Sequence, residues 1–142
     1  MNNFKSTLAA ASLVFASSAA LASTSTIESF HQVMTHPGNG SDIFVQVDVA
    51  QIDDVDVSGY DQFYANASVQ EFRSLSSGQH LLKLTCRVSQ SATVPSGSGG
   101  PDAIFSTVIE AGQDYELYPH VTHVISGPYE WVLCNPGIKK SN

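Results

Sequence analysis

The sequence predicts an all-β fold, a small antiparallel β-sandwich of about seven strands tied by one disulfide. Three observations carry this expectation. Short runs alternate apolar and polar residues with period two; Gly, Pro, Ser and Asn/Asp clusters separate them at close spacing; and no long stretch shows helical periodicity. Cys86 and Cys134 are the two cysteines of the 142-residue chain and supply the staple.

Residues 1–22 read as a secretory signal peptide. Lys5 is the one charge before Glu28, residues 8–21 are apolar and Ala-rich, and Ala20-Leu21-Ala22 offers the small residues a signal peptidase needs. A membrane span needs about 20 strongly apolar residues. This run is shorter and is broken by Ser12, Ser17 and Ser18, so no permanent span is expected. The mature chain is expected to begin near Ser23, in the periplasm or outside the cell.

Residues 23–42 read as a flexible Ser/Thr-rich lead-in with a first short strand over 30–34, and residues 43–142 as the sandwich domain. His36-Pro37-Gly38-Asn39-Gly40 is a turn cluster. Ile43, Val45, Val47 and Val49 alternate with Gln46 and Asp48, the pattern of a half-buried strand. Residues 52–57 repeat the alternation weakly, and 63–72 fit a helix or a strand. The strongest strand sets His80, Leu82, Leu84, Cys86 and Val88 against Lys83, Thr85 and Arg87. Residues 89–102, rich in Ser, Gly and Pro, read as a loop. A strand over 103–109, a turn over 111–114, and strands over 115–118, 121–125 and 129–134 complete the pattern. Pro119 and Pro136 are expected to end their strands.

Thirteen Asp and Glu stand against Arg73, Lys83, Arg87, Lys139 and Lys140 beyond the signal, a net charge of −8 with neutral His. Such a surface repels phosphate backbones, which excludes nucleic acid as a partner. In an oxidising compartment the even cysteine count reads as a Cys86–Cys134 bond, since no C-x-x-C is present.

Two turn-and-strand elements resemble a known family. Leu75-Ser76-Ser77-Gly78-Gln79-His80-Leu81-Leu82-Lys83-Leu84 resembles the Pro-Gly-Lys-His-x-hydrophobic hairpin of small transthyretin-like (prealbumin-like) sandwich modules in bacterial envelope proteins. Ala111-Gly112-Gln113-Asp114-Tyr115-Glu116-Leu117 is similar to their later Ala-Gly-Lys-x-Tyr-x-Leu turn and strand. Together they suggest a resemblance over about residues 43–134. Ser77 and Gln79 stand where the family often has Pro and Lys, and the Ser/Gly loop is long. The resemblance implies the sandwich more than any activity.

Four groups of residues are candidates for chemistry. Asp54, Asp56, Ser58 and Asp61 follow the alternate-oxygen opening of a calcium loop, although Ala65 stands where its closing Glu belongs. Solvated acidic residues on a strand give the same spacing. His120 and His123 form H-x-x-H, which could bind zinc with His31, His36 or His80 on a helix but is split between two faces on a strand. His80, just after a turn, is placed to brace its hairpin. Tyr115, Tyr118, Tyr129 and Trp131 gather late in the chain, as binding aromatics or as strand filling. No G-x-S-x-G, H-E-x-x-H or phosphate loop is present, so no catalytic residue and no cofactor is assigned. The reading is a non-catalytic module making protein or glycan contacts in the bacterial envelope. The alternatives are a small metal-dependent or carboxylate hydrolase, or a periplasmic enzyme inhibitor.

Overall fold

The computed structural model describes residues 23–57, 72–89, 98–99 and 102–142. Among them there is no helix, and so none long and apolar enough to cross a membrane. Ten strand segments form two sheets: β1 (Ser25–Glu28), β2 (Phe30–Thr35), β3 (Asp42–Ile52), β4 (Val55–Asp56), β5 (Phe72–Leu75), β6 (Gly78–Ser89), β7 (Ser98–Gly99), β8 (Ala103–Ile109), β9 (Tyr115–Ser126) and β10 (Tyr129–Lys140). One sheet has the order β10-β9-β1-β5. The other runs β2-β3-β6-β7, with β8 also on β6 and β4 also on β3. The β1–β9 pairing is parallel; every other described pairing is antiparallel.

The apolar faces of both sheets meet in one core. Ile43, Val45, Val47 and Val49 of β3 and Leu82, Leu84, Cys86 and Val88 of β6 line one side. Ile27, Leu75, Tyr115, Leu117, Val132 and Cys134 line the other. The Cys86–Cys134 bond crosses between the sheets through this core, with both residues buried. Period-two alternation places these side chains inward, and a bulge extends it: Ala50 and Gln51 together oppose Lys83, so Val49 and Ile52 point the same way.

Several expectations are corrected. The lead-in is a strand: β1 buries Ser25 and Ile27, then Ser29 carries the chain across to the other sheet. Asp114 fixes β1, its Oδ1 accepting from the Thr26 N–H (3.1 Å) and hydroxyl (2.7 Å), which holds the Asp114 carboxyl below the usual range. The strand count exceeds seven because short pieces pair at the edges. Part of the Ser/Gly loop is one of these, since β7 pairs with Arg87 and Val88. The segment over 52–57 is a tight hairpin, in which Asp53 (φ 51°) and Asp54 (φ 64°) take the two left-handed positions of a type I′ turn between β3 and β4.

Neither Pro119 nor Pro136 ends its strand. The β9–β10 hairpin turns at Gly127-Pro128, with Gly127 at φ 61°, and pairs continuously from Ser126↔Tyr129 to Tyr115↔Lys140. A two-residue turn makes Ser126 and Tyr129 a hydrogen-bonded pair, and pairs alternate from there. Pro119 lies opposite Pro136, at a pair that exchanges no hydrogen bonds, so the ladder loses nothing to either ring.

Candidate functional site

β9 and β10 form a two-stranded ribbon. Only Tyr115 and Glu116 of β9 pair with β1, so from Leu117 to the turn the ribbon has no third strand among the described residues. Its inner face carries Leu117, Val132 and Cys134 into the core. Its outer face carries Tyr118, His120, Thr122 and Val124 on β9, and Tyr129, Trp131 and Leu133 on β10. Trp131 lies across from Val124, and Leu133 across from Thr122. Tyr129 is 70% exposed and Trp131 39%, and on the inner face Ile125 is 69% exposed near the turn. Glu130 is the one formally charged side chain from Leu117 to Ile138, in a chain with thirteen acidic residues. Exposed apolar residues grouped on one element mark an interaction site, and Trp and Tyr give contact area at little entropic cost.

The four predicted aromatics are not brought together. Tyr129 and Trp131 are neighbours on the outer face. Tyr118 shares that face but lies six residues along β9 from Val124, about 20 Å away; its ring covers Gly137 across the ladder, with the Lys139 ammonium 5.9 Å from the ring centre. Tyr115 is a core residue, its hydroxyl accepting from Glu110 N–H (3.0 Å).

The ribbon is fastened to the sandwich near its tip. The turn between β2 and β3 is organised by buried His36, whose Nδ1 accepts from the N–H groups of Gly38 (2.9 Å) and Asn39 (3.2 Å). Gly38 lies against the His123 ring of β9; a Cβ there would stand 2.5 Å from Cε1. His36 and His123 meet edge to face at 5.5 Å. His123 Nε2 lies 2.6 Å from Glu130 Oε1, an ion-pair distance angled off a straight hydrogen bond. His120 points outward from the same strand, so H-x-x-H is split between two faces. Among the described residues no three His, Cys, Asp or Glu side chains are grouped to hold a metal, and no pocket is present.

Of the calcium-loop candidates, Asp54 sits in the I′ turn and Asp56 Oδ1 accepts from Gln51 Nε2 (2.8 Å). Ser58 and Asp61 lie outside the described residues. The neighbouring Asp53 is a structural clip. Its carboxylate accepts from Leu81 N–H (2.8 Å) and lies 2.7 Å from His80 Nδ1, and these two bonds hold its carboxyl below the usual range. His80 Nε2 reaches the Ser76 carbonyl at 2.9 Å, so His80 braces this end of β6.

One polar group does not lie where alternation puts it. Gln46 and Asp48, expected on a solvated face, are 0% and 2% exposed. His31 of β2, also fully buried, brings Nε2 to 2.8 Å from Asp48 Oδ1, and Gln46 Nε2 donates to Asp48 Oδ2. β3 is therefore buried on both faces. Buried polar groups need such partners, and a shared carboxylate supplies one for both donors. Period two alone cannot tell a solvated polar face from a buried hydrogen-bonded one. The ribbon had a legible signal that pattern reading passed over: the long gap in formal charge around Glu130.

No protein-family model matches the chain, and neither a curated protein nor a solved structure matches it.

Proposed function

We propose that this is an exported binding module that works by protein contact, with the outer face and tip of the β9–β10 ribbon as its contact surface. One observation carries the reading: Tyr129, Trp131 and Ile125 are exposed together on a ribbon whose residues from Leu117 to Ile138 carry a single formal charge, Glu130. Interface cores are poor in charge and rich in Trp and Tyr. The neighbours of Trp131 favour protein over glycan. Val124 and Leu133 flank it, whereas sugar hydroxyls need polar partners around a stacking ring. The signal-like residues 1–22 support export, as does a cysteine pair joined in a bond that persists in oxidising compartments. The transthyretin-like resemblance fits an envelope module of this kind.

Trp131 is the only tryptophan, so its emission reports on this face directly. The mature protein is titrated with envelope protein fractions and, separately, with envelope polysaccharide. Protein fractions are expected to shift the emission to the blue, and Tyr129→Ala with Ile125→Ser to remove the shift. A shift with polysaccharide alone makes the module a glycan binder. Binding that leaves the emission unmoved places the contact elsewhere and ends the reading.

A further inference from the structure

We propose that Asn39 is a modification site, where the side-chain amide becomes a carboxylate through a cyclic imide formed with the backbone nitrogen of Gly40. The turn between β2 and β3 brings together the groups this needs. Asn39 and Gly40 are both exposed, so water reaches them. Asn39 Oδ1 accepts from the Ser41 N–H (3.0 Å) and from the Ser41 hydroxyl (2.7 Å). Two donors on one amide oxygen draw charge from Cγ. They also hold the negative charge that the oxygen gains when Cγ is attacked. Gly40, at φ 74°, has no Cβ to crowd its nitrogen.

The chemistry needs water as its one co-reactant. The Gly40 nitrogen gives its proton to solvent and bonds to Asn39 Cγ. The Cγ–Nδ2 bond then breaks, and that nitrogen takes up a proton and leaves as ammonia. Water opens the imide in one of two ways. Breaking the new N–Cγ bond leaves an aspartate in an ordinary chain. Breaking the old peptide bond to Gly40 leaves an isoaspartyl link, which routes the main chain through the side-chain carbon and lengthens it by one atom. Asn135 sets the contrast: Pro136 follows it and has no N–H to lose, so no imide forms there.

One contact restrains the reaction. The Gly40 N–H donates to the His36 carbonyl at 3.1 Å and must leave it before the nitrogen can attack. One neutral bond in an exposed turn slows the reaction by about fivefold, not by orders of magnitude. The two products differ in what they do to the fold. A plain aspartate keeps both Ser41 donors. The isoaspartyl link moves Gly40 away from the His36 carbonyl and misaligns the N–H groups of residues 38 and 39 that His36 Nδ1 accepts. Gly38 lies against His123, so the longer turn loosens the seat of the ribbon.

Peptide mapping of the mature, oxidised chain during incubation at pH 6 and at pH 8 tests this, with synthetic aspartyl and isoaspartyl peptides as standards. Asn39 is expected to give way to both products, at least about tenfold faster at pH 8, since ring closure needs the Gly40 nitrogen without its proton. Asn135 should stay intact in the same digests. Ser41→Ala takes one donor from Oδ1 and is expected to slow conversion severalfold, less than in a buried site because water screens the charge. Asn39→Gln should stay unconverted. Amide exchange around His123 should be faster in the converted chain than in Asn39→Asp, which has the charge without the longer link. An Asn39 that stays intact at pH 8 while a short peptide of the same turn converts overturns the proposal, as does conversion indifferent to Ser41→Ala. Equal exchange in the converted chain and in Asn39→Asp overturns the link to the ribbon.

Discussion

Replacing both Cys86 and Cys134 by Ala should remove about 4 kcal/mol of stability. The two cysteines are 48 residues apart, and in the chain-entropy model opening a loop of that length frees the unfolded chain by about this amount. At about 3–5 °C per kcal/mol for a domain of this size, the melting temperature should fall by about 12–20 °C. The structure adds a spatial signature. Beyond the core contacts, among the described residues the ribbon pairs with the rest of its sheet only where Tyr115 and Glu116 meet β1, and is held to the other sheet by the disulfide, the His36–His123 contact and, at its base, the Lys140–Glu110 ion pair. Amide exchange should therefore accelerate more in β10 than in β3. Scanning calorimetry and hydrogen exchange on the double variant measure both effects. A fall below about 5 °C would refute the loop-entropy reasoning, since a small change means the bridge constrains little in the unfolded chain. Uniform acceleration of exchange would refute the view that the bridge fastens the ribbon.

Acid should act through two turn aspartates. Asp53 and Asp114 both have lowered carboxyl pKa values in the folded chain, so their contribution is present above the unfolded value of about 4 and is lost as pH falls through the folded values. Melting curves from pH 6 to 2 should thus be flatter for Asp53→Asn and Asp114→Asn than for wild type, and parallel curves would remove the two clips from the account. Asp54→Gly should leave stability unchanged or raise it by up to about 1 kcal/mol, because Gly suits the second left-handed position of a I′ turn; a loss above that, by urea unfolding, contradicts the turn assignment. In the same chain, millimolar calcium is expected to move the melting temperature by no more than a degree or two, and a clear rise abolished by Asp54→Asn and Asp56→Asn would establish a cation site. Asp48→Ala takes away the acceptor that His31 and Gln46 share in the interior and should cost about 3 kcal/mol or more. A cost under about 1 kcal/mol in urea unfolding would show that the pair bears little on the fold.

The inward residues of β3 and β6 were legible because alternation of apolar and polar side chains encodes a two-faced strand directly. The cysteine pair was legible for a chemical reason, two thiols and no third. What alternation missed depends on contacts distant in sequence. Ser25 and Ile27 look like linker until Leu75 and Tyr115 arrive beside them. Pro119 and Pro136 read as strand ends because each is judged alone, whereas their harmlessness comes from facing each other at a non-bonded pair. Gln46 and Asp48 look solvated until His31 is placed over them. The aromatic group was half legible: proximity in sequence suggested a cluster, and strand parity sent Tyr115 inward while leaving Tyr129 and Trp131 together outside.

The position of β1 also governs how the chain folds. This four-residue strand is near the start of the described chain, yet its partners are Phe72–Leu75 and Tyr115, and the Asp114 carboxylate that clips Thr26 is 88 residues away. None of these contacts can form locally, so the entropy of closing long loops must be met before β1 gains anything. The β9–β10 hairpin is the opposite case, a two-residue turn that can zip on its own in microseconds. The hairpin should therefore be structured early and β1 docked last, with overall folding in milliseconds to seconds. In stopped-flow refolding, substitutions at Ile27 should accelerate unfolding and leave the folding rate almost unchanged, while substitutions at Gly127 should slow folding.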